Sequence, residues 1–261
     1  MAKRLKGMGQ AGYENDGNPK TSGPGFGLTL RPDRLDAPLR WRKPRLVFVN
    51  SMSDLFHPQI PEGYTRRVFE VMALAKRQTF QVLTKRPGPM RSMLQRWERQ
   101  RRSNGTSPLD FMPWPLPNVW MGVSAEDQKR AELRIPILLE TPAAVRFVSL
   151  EPLLGPIDLL GDAEAPGPAI MRTGTKTWTD LGWEYDYDDQ VGLDWVIVGG
   201  ESGAGFRPLD LDWARSLRDQ CQSAGVPFFF KQVGGRTPKA NGRLLDGRTW
   251  DQYPSDEVVD A

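Results

Sequence analysis

Short apolar runs recur along the chain: Leu46–Asn50 (LVFVN), Phe80–Leu83 (FQVL), Val119–Val123 (VWMGV), Val145–Val148 (VRFV), Trp195–Val198 (WVIV) and Phe228–Phe230 (FFF). They are rich in β-branched and aromatic residues and mostly do not alternate with polar ones, the pattern of strands buried on both faces. Their starts lie 34, 39, 26, 50 and 33 residues apart. That is too far for hairpins and enough for a strand, a helix and two loops. Helical patterns fill several gaps. Pro61–Lys76 places Tyr64, Val68, Met72 and Ala75 on one face, and Pro89–Arg102 carries Met90, Leu94 and Trp97 on a basic segment. Glu126–Leu139 is charged first and apolar later, with Pro136 limiting or kinking it. Leu211–Ala224 places Trp213, Leu217 and Cys221 at i, i+4 and i+8, with Gly225 at the stop. Strands alternating with helices imply a parallel sheet, and right-handed crossovers make it an α/β barrel or a doubly wound sheet.

Two segments break this rhythm. Gln10–Gly27 is rich in Gly, Pro, Asn and Ser and reads as a loop. Gly155–Gly192 lengthens the fourth crossover and is acidic, yet it holds Trp178, Trp183, Tyr185 and Tyr187. It reads as an acidic insertion or lid (155–192) within a single domain spanning 1–261.

Composition narrows the class. With 261 residues, 39% hydrophobic and 26% charged, the chain suits one large globular domain. No stretch approaches a membrane span, and Met1-Ala2-Lys3-Arg4-Leu5-Lys6-Gly7 lacks the apolar core of a signal peptide. One cysteine, Cys221, and one histidine, His57, exclude an intramolecular disulfide and any site built from several thiolates of this chain. A cytoplasmic setting is the expectation. The net charge of +3 is small but unevenly spread. Residues 1–45 hold ten basic and four acidic side chains, 85–105 hold seven and one, and 158–194 hold two and nine. A basic face and an acidic lobe follow.

In parallel α/β folds ligands bind where strands end. After the six runs come Asn50, Ser51, Ser53 and Asp54; Lys85 and Arg86; Ser124 and Glu126; Ser149 and Glu151; Gly199, Gly200 and Glu201; Lys231 and Gln232. All six ends are polar, which points to a ligand-binding rim. Asp54 could order a substrate hydroxyl or amine, or cap a helix. Lys85 and Arg86 could hold phosphate or carboxylate, or be a solvated helix start with Pro87 at its first position. Glu126 and Glu151 could be general acid and base, or ordinary ion-pair partners. Gly199-Gly200 would let a ligand approach the backbone, with Glu201 the favoured carboxylate. His57 and Cys221 read as structural. The basic helix beside Lys85 is either a solvated face or a contact for a phosphate backbone.

Taken together these motifs carry a resemblance. FVNSMSDLFH (48–57), QVLTKRP (81–87), VWMGVS (119–124), FVSLEPLLG (147–155), WVIVGGESG (195–203) and FFKQ (229–232) occur in order. They resemble a bacteriophage and prophage family of unknown function that is named after two numbered phage gene products. That family looks like a radical-SAM relative. The resemblance implies an incomplete (β/α) TIM-like barrel of about six parallel strands with helices outside. It also implies S-adenosylmethionine and a [4Fe–4S] cluster as cofactors, although the chain as written holds none of the cluster cysteines. Its sequence starts just after the place where they would stand, so the expectation is either a start further upstream or a truncated or degenerate form. By similarity, Asn50, Ser51, Ser53 and Asp54 could face the methionyl part of S-adenosylmethionine. Gly199, Gly200 and Glu201 could hold its amino group, with a substrate role for Glu201 equally open.

Three functions compete on these grounds. One is a radical-SAM-like enzyme acting on nucleic acid or a nucleotide. Another is a non-catalytic binding protein that keeps the barrel and its polar rim. The third is an iron-independent enzyme using Asp54, Glu151 and Glu201, with Mg²⁺ as one option. An exposed sheet edge covered by a partner chain is a further expectation.

Overall fold

The computed structural model describes residues 28–50, 53–105, 107–160 and 192–254, together with Met8 and the backbone of 177–179 and 182–184; within 102–104 the description is of backbone only. Six parallel strands form one sheet: β1 Arg45–Val49, β2 Gln78–Thr84, β3 Val119–Ser124, β4 Val145–Leu150, β7 Trp195–Gly199 and β8 Phe228–Gln232. Each apolar run in the sequence became a strand. The two remaining strands, β5 Thr177–Thr179 and β6 Gly182–Glu184, pair antiparallel with each other. The rest of the expected acidic insertion lies largely outside the described residues.

The spatial order of the large sheet is the chain order, β1-β2-β3-β4-β7-β8. A doubly wound sheet would reverse direction at a switch point. Here nothing reverses, and the sheet curls into a half-barrel with helices alternating along it, an incomplete α/β barrel.

Four helices follow strands: α1 Glu62–Leu74, α2 Pro87–Asn104, α3 Gln128–Leu139 and α4 Leu211–Ser223. In α2, Met90, Leu94 and Trp97 are buried as their spacing predicts. In α1 and at its C-cap, Met72 and Ala75 are buried as their spacing predicts and Val68 packs against the core, while the fully buried residues of the first turns are Thr65 and Phe69, one position on from Tyr64 and Val68. α3 starts two residues later than expected because the Asp127 carboxylate accepts from the Arg130 N–H at 3.0 Å and caps it. It runs through Pro136 to Leu139. α4 stops where Gly225 takes φ +66°. The Val226 N–H returns to the Cys221 carbonyl at 2.9 Å and the Gly225 N–H to that of Gln222 at 3.2 Å, a Schellman closure.

The sheet has two unlike faces. Phe80, Val82, Met121, Val123, Val148, Val196, Val198, Phe228 and Phe230 join the helices in the main core. The concave face carries Trp120, Phe147, Trp195 and Ile197, backed by Leu83, Val145, Phe229 and Tyr253. Trp195 sits at its centre, 5.8 Å from Trp120 and from Phe147 and 5.2 Å from Tyr253 between ring centroids. Gly122 is the reason Phe147 fits. A Cβ there would lie 2.5 Å from the Phe147 ring.

The two edges also differ. The segment Trp250–Gln252 lies antiparallel along β8, with Phe230 N–H donating to the Trp250 carbonyl at 2.9 Å. Among the described residues no strand pairs with the outer edge of β1, where Leu46 and Phe48 are exposed.

Candidate functional site

Parallel strands deliver the residues after all six of them to one end of the half-barrel. There the side chains form linked ion pairs. Asp54 closes the gap between β1 and β2. Its Oδ1 accepts from the Phe56 N–H (3.0 Å) and the Thr84 hydroxyl (2.8 Å), and its Oδ2 from the Lys85 N–H (3.1 Å) and the Arg86 guanidinium (2.8 Å). Asp54 therefore caps no helix; it fixes the path of the chain after β2. Asn50 takes φ +61° and its carbonyl accepts from the Ser53 N–H at 3.1 Å. Ser53 is exposed, and Ser51 lies outside the described residues.

Two lysines reach the rim from opposite sides, each over a carboxylate. The Lys85 ammonium donates to Glu126, whose other oxygen accepts from Arg134 at 3.1 Å. Arg134 also holds the Ser124 carbonyl at 2.6 Å. Burial alone would raise the Glu126 carboxyl, but the Lys85 hydrogen bond and the Lys85 and Arg134 charges bring it below the ordinary carboxylate value. The Lys231 ammonium lies 3.1 Å from Glu151 Oε1 and 3.2 Å from Oε2. Ser149 Oγ donates to Oε2 at 3.0 Å, and Ser124 Oγ reaches the Glu151 carbonyl at 3.5 Å. The lysine side chains are 53% and 54% exposed, their carboxylates 15% and 18%. Each pair is thus rooted in the protein through its anion and offers its cation to solvent.

The glycine pair has a different role from the one its sequence suggests. A Cβ on Gly199 would lie 2.6 Å from Glu151 Oε1, and a Cβ on Gly200 would collide with the Val233 carbonyl. The bare backbone here admits the protein's own Glu151 and β8. Gln232 completes this junction, its amide donating to the Gly200 carbonyl at 3.1 Å and to Ser202 Oγ at 2.8 Å. Glu201 faces Arg207, which donates from its backbone N–H (2.9 Å), Nε (2.7 Å) and Nη2 (2.9 Å). These bonds lower the Glu201 carboxyl to about 2. Asp54, Glu151 and Glu201 go to three separate partners. Among the described residues no group of three or more His, Cys, Asp or Glu is placed to hold a metal ion.

His57 accepts from the Gln59 N–H at 3.2 Å within its loop. Cys221 is buried on α4 in the helix layer, where burial pushes its thiol up to about 12. The basic helix α2 spends much of its charge internally. Arg91 pairs with Glu140, Arg96 with Glu62, and Arg101 donates to the Leu109 and Met112 carbonyls. Sequence reasoning missed Arg134 and Arg207. Arg134 lies on α3 and reaches back past the Asp127 cap to Glu126, a contact that helical spacing does not encode. Arg207 comes to Glu201 through an irregular loop, which has no such spacing.

Fold and rim together define an α/β half-barrel whose strand ends carry an ion-paired polar site. The chain matches, over residues 1–254, the family described as "Protein of unknown function (DUF5131)" and belongs to it. No curated protein and no solved structure matches the chain.

The cofactors implied by the resemblance can be tested against these residues. A [4Fe–4S] cluster needs several exposed thiolates, and the one thiol of these 261 residues is buried away from the rim. The amino group of S-adenosylmethionine would need a free carboxylate beside open glycine backbone, but Glu201 is committed to Arg207 and Gly200 is packed on Val233. The residues present fit neither group. Among the described residues no helix is long and apolar enough to cross a membrane.

Proposed function

We propose that the C-terminal rim of the half-barrel binds a nucleotide or a nucleic-acid strand through its phosphates. The observation that carries this reading is the pair of half-exposed lysines, Lys85 and Lys231, each held upright by a partly buried carboxylate beneath it. An ammonium has three donors, and those not used on the carboxylate point outward. Preset cations of this kind bind phosphate without first having to be ordered. Lys85 and Lys231 are four strand spacings apart, at most about 19 Å along the sheet. One phosphate does not bridge that span, whereas a strand or a nucleotide with two polar ends does.

Fluorescence anisotropy with labelled single-stranded oligonucleotides across a salt series tests it. The expected result is saturable binding whose logarithm falls linearly with log salt, with a slope that shrinks by about 0.7 for each of Lys85→Ala and Lys231→Ala. Binding that is absent, or that the double variant leaves unchanged, refutes the proposal.

A further inference from the structure

Gln81 lies in the middle of β2 on the concave face, since its neighbours Phe80 and Val82 both point into the helix-side core. It is 6% exposed, and among the described residues its Nε2 has no hydrogen-bond partner. A buried amide donor left unpaired is costly, and folded proteins nearly always satisfy such groups. In register it stands between two aromatic residues, Phe48 on β1 and Trp120 on β3. Trp120 is buried, while Phe48 is 43% exposed on the edge strand. Further along the same face come Leu83 and then Lys85 at the rim. From Gln81 to Lys85 is about 13 Å of strand, a length that a nucleoside phosphate covers from base edge to phosphate.

We propose that Gln81 reads the base of the ligand whose phosphate the rim holds. Its Nε2 donates to a carbonyl oxygen or ring nitrogen of a heteroaromatic ring, and that ring stacks on Phe48. The donor is buried, so Phe48, exposed on the neighbouring edge strand, is the ring that would turn aside to admit the base. This inference rests on the reading of the rim as a nucleotide site and adds what is recognised beyond the phosphate. Stacking on an aromatic face is tolerant of base identity, while a buried donor discriminates by penalising a ligand that leaves it unpaired.

Calorimetric titration with the four ribonucleoside 5′-monophosphates, and with ribose 5-phosphate as the base-free control, tests it. At least one mononucleotide is expected to bind about tenfold or more tighter than ribose 5-phosphate. Gln81→Met, which keeps the length of the side chain and removes only its polar head, should erase that margin and leave ribose 5-phosphate affinity unchanged. Phe48→Ala should weaken all four mononucleotides alike. Gln81→Met should also melt no lower than the parent, because it removes an unpaired donor; a lower melting temperature would mean that the amide has a structural partner and would overturn the inference. So would mononucleotides that bind no tighter than ribose 5-phosphate, or a Gln81→Met margin equal to the parent's. If no mononucleotide binds while the labelled oligonucleotide does, this inference alone is overturned; if the oligonucleotide fails as well, the rim reading fails and this inference fails with it.

Discussion

Gly200 has no room for a side chain. The carbonyl of Val233 occupies the place of its Cβ, and backbone cannot rotate aside as a side-chain tip can. Gly200→Ala is expected to destabilise the fold by about 2–4 kcal/mol, seen as a lower urea midpoint. Gly199→Ala, which meets the end of the Glu151 side chain, should cost less but displace the carboxylate under Lys231. A Gly200→Ala protein as stable as the parent would refute this packing. Residue roles were the least legible part of the sequence. "GGE" reads as a ligand motif, and only the approach of β8 shows that both glycines serve internal contacts. Asp54 reads as a substrate ligand or a helix cap, and its four donors come from residues up to 32 positions away. Glu126 carries a pH signature. Its carboxyl is held below the ordinary value of 4.5, so the folded chain keeps it ionised where the unfolded chain takes up a proton. Its stabilisation is therefore complete above about pH 4.5 and is lost as pH falls through the lower folded value. Glu126→Gln should be less stable at neutral pH by about 1 kcal/mol, discounted for the exposure of Lys85. Urea midpoints should show that gap closing in more acidic solution; a gap independent of pH would remove the ion pair as its cause.

Helices and strands were far more legible than single residues, because periodicity averages over many positions. Each apolar run in the sequence became a strand, with ends moved by at most two residues. The stripe of α2 was read in full. That of α1 held at Met72 and Ala75 and shifted in the first turns, because Thr65 lies inside it, a polar residue whose hydroxyl donates to the Leu55 carbonyl at 3.3 Å. A hydrophobicity pattern cannot count a buried threonine. The end of α4 was readable because glycine is favoured where a helix stops at positive φ. Gly225→Ala places a Cβ at φ +66° and should cost about 1 kcal/mol. Unchanged thermal stability in that variant would contradict the closure described.

At the scale of the whole molecule, alternation left two folds open, and strand order decides between them. That order depends on which edges meet after the chain has collapsed, and no local pattern encodes it. The polar rim was legible because topology alone brings strand ends together. Its internal neutrality was not, since Arg134 and Arg207 sit on other elements. The carboxyl of Glu201 offers a global check on this electrostatic wiring. In a carbon-detected NMR titration it should stay ionised down to about pH 2, while Arg207→Ala should return it to the ordinary range near 4.5.

The sealed edge of β8 has a consequence for assembly. A sheet open at both edges can accept a new strand on either side, and copies can then add without end into a fibre. Here Trp250–Gln252 already occupies one side. Among the described residues the β1 side is the bare edge, and a strand joining on the other side would have to displace Trp250–Gln252 or add beyond it. Two copies that meet isologously through β1 form a closed pair, because each uses the same edge.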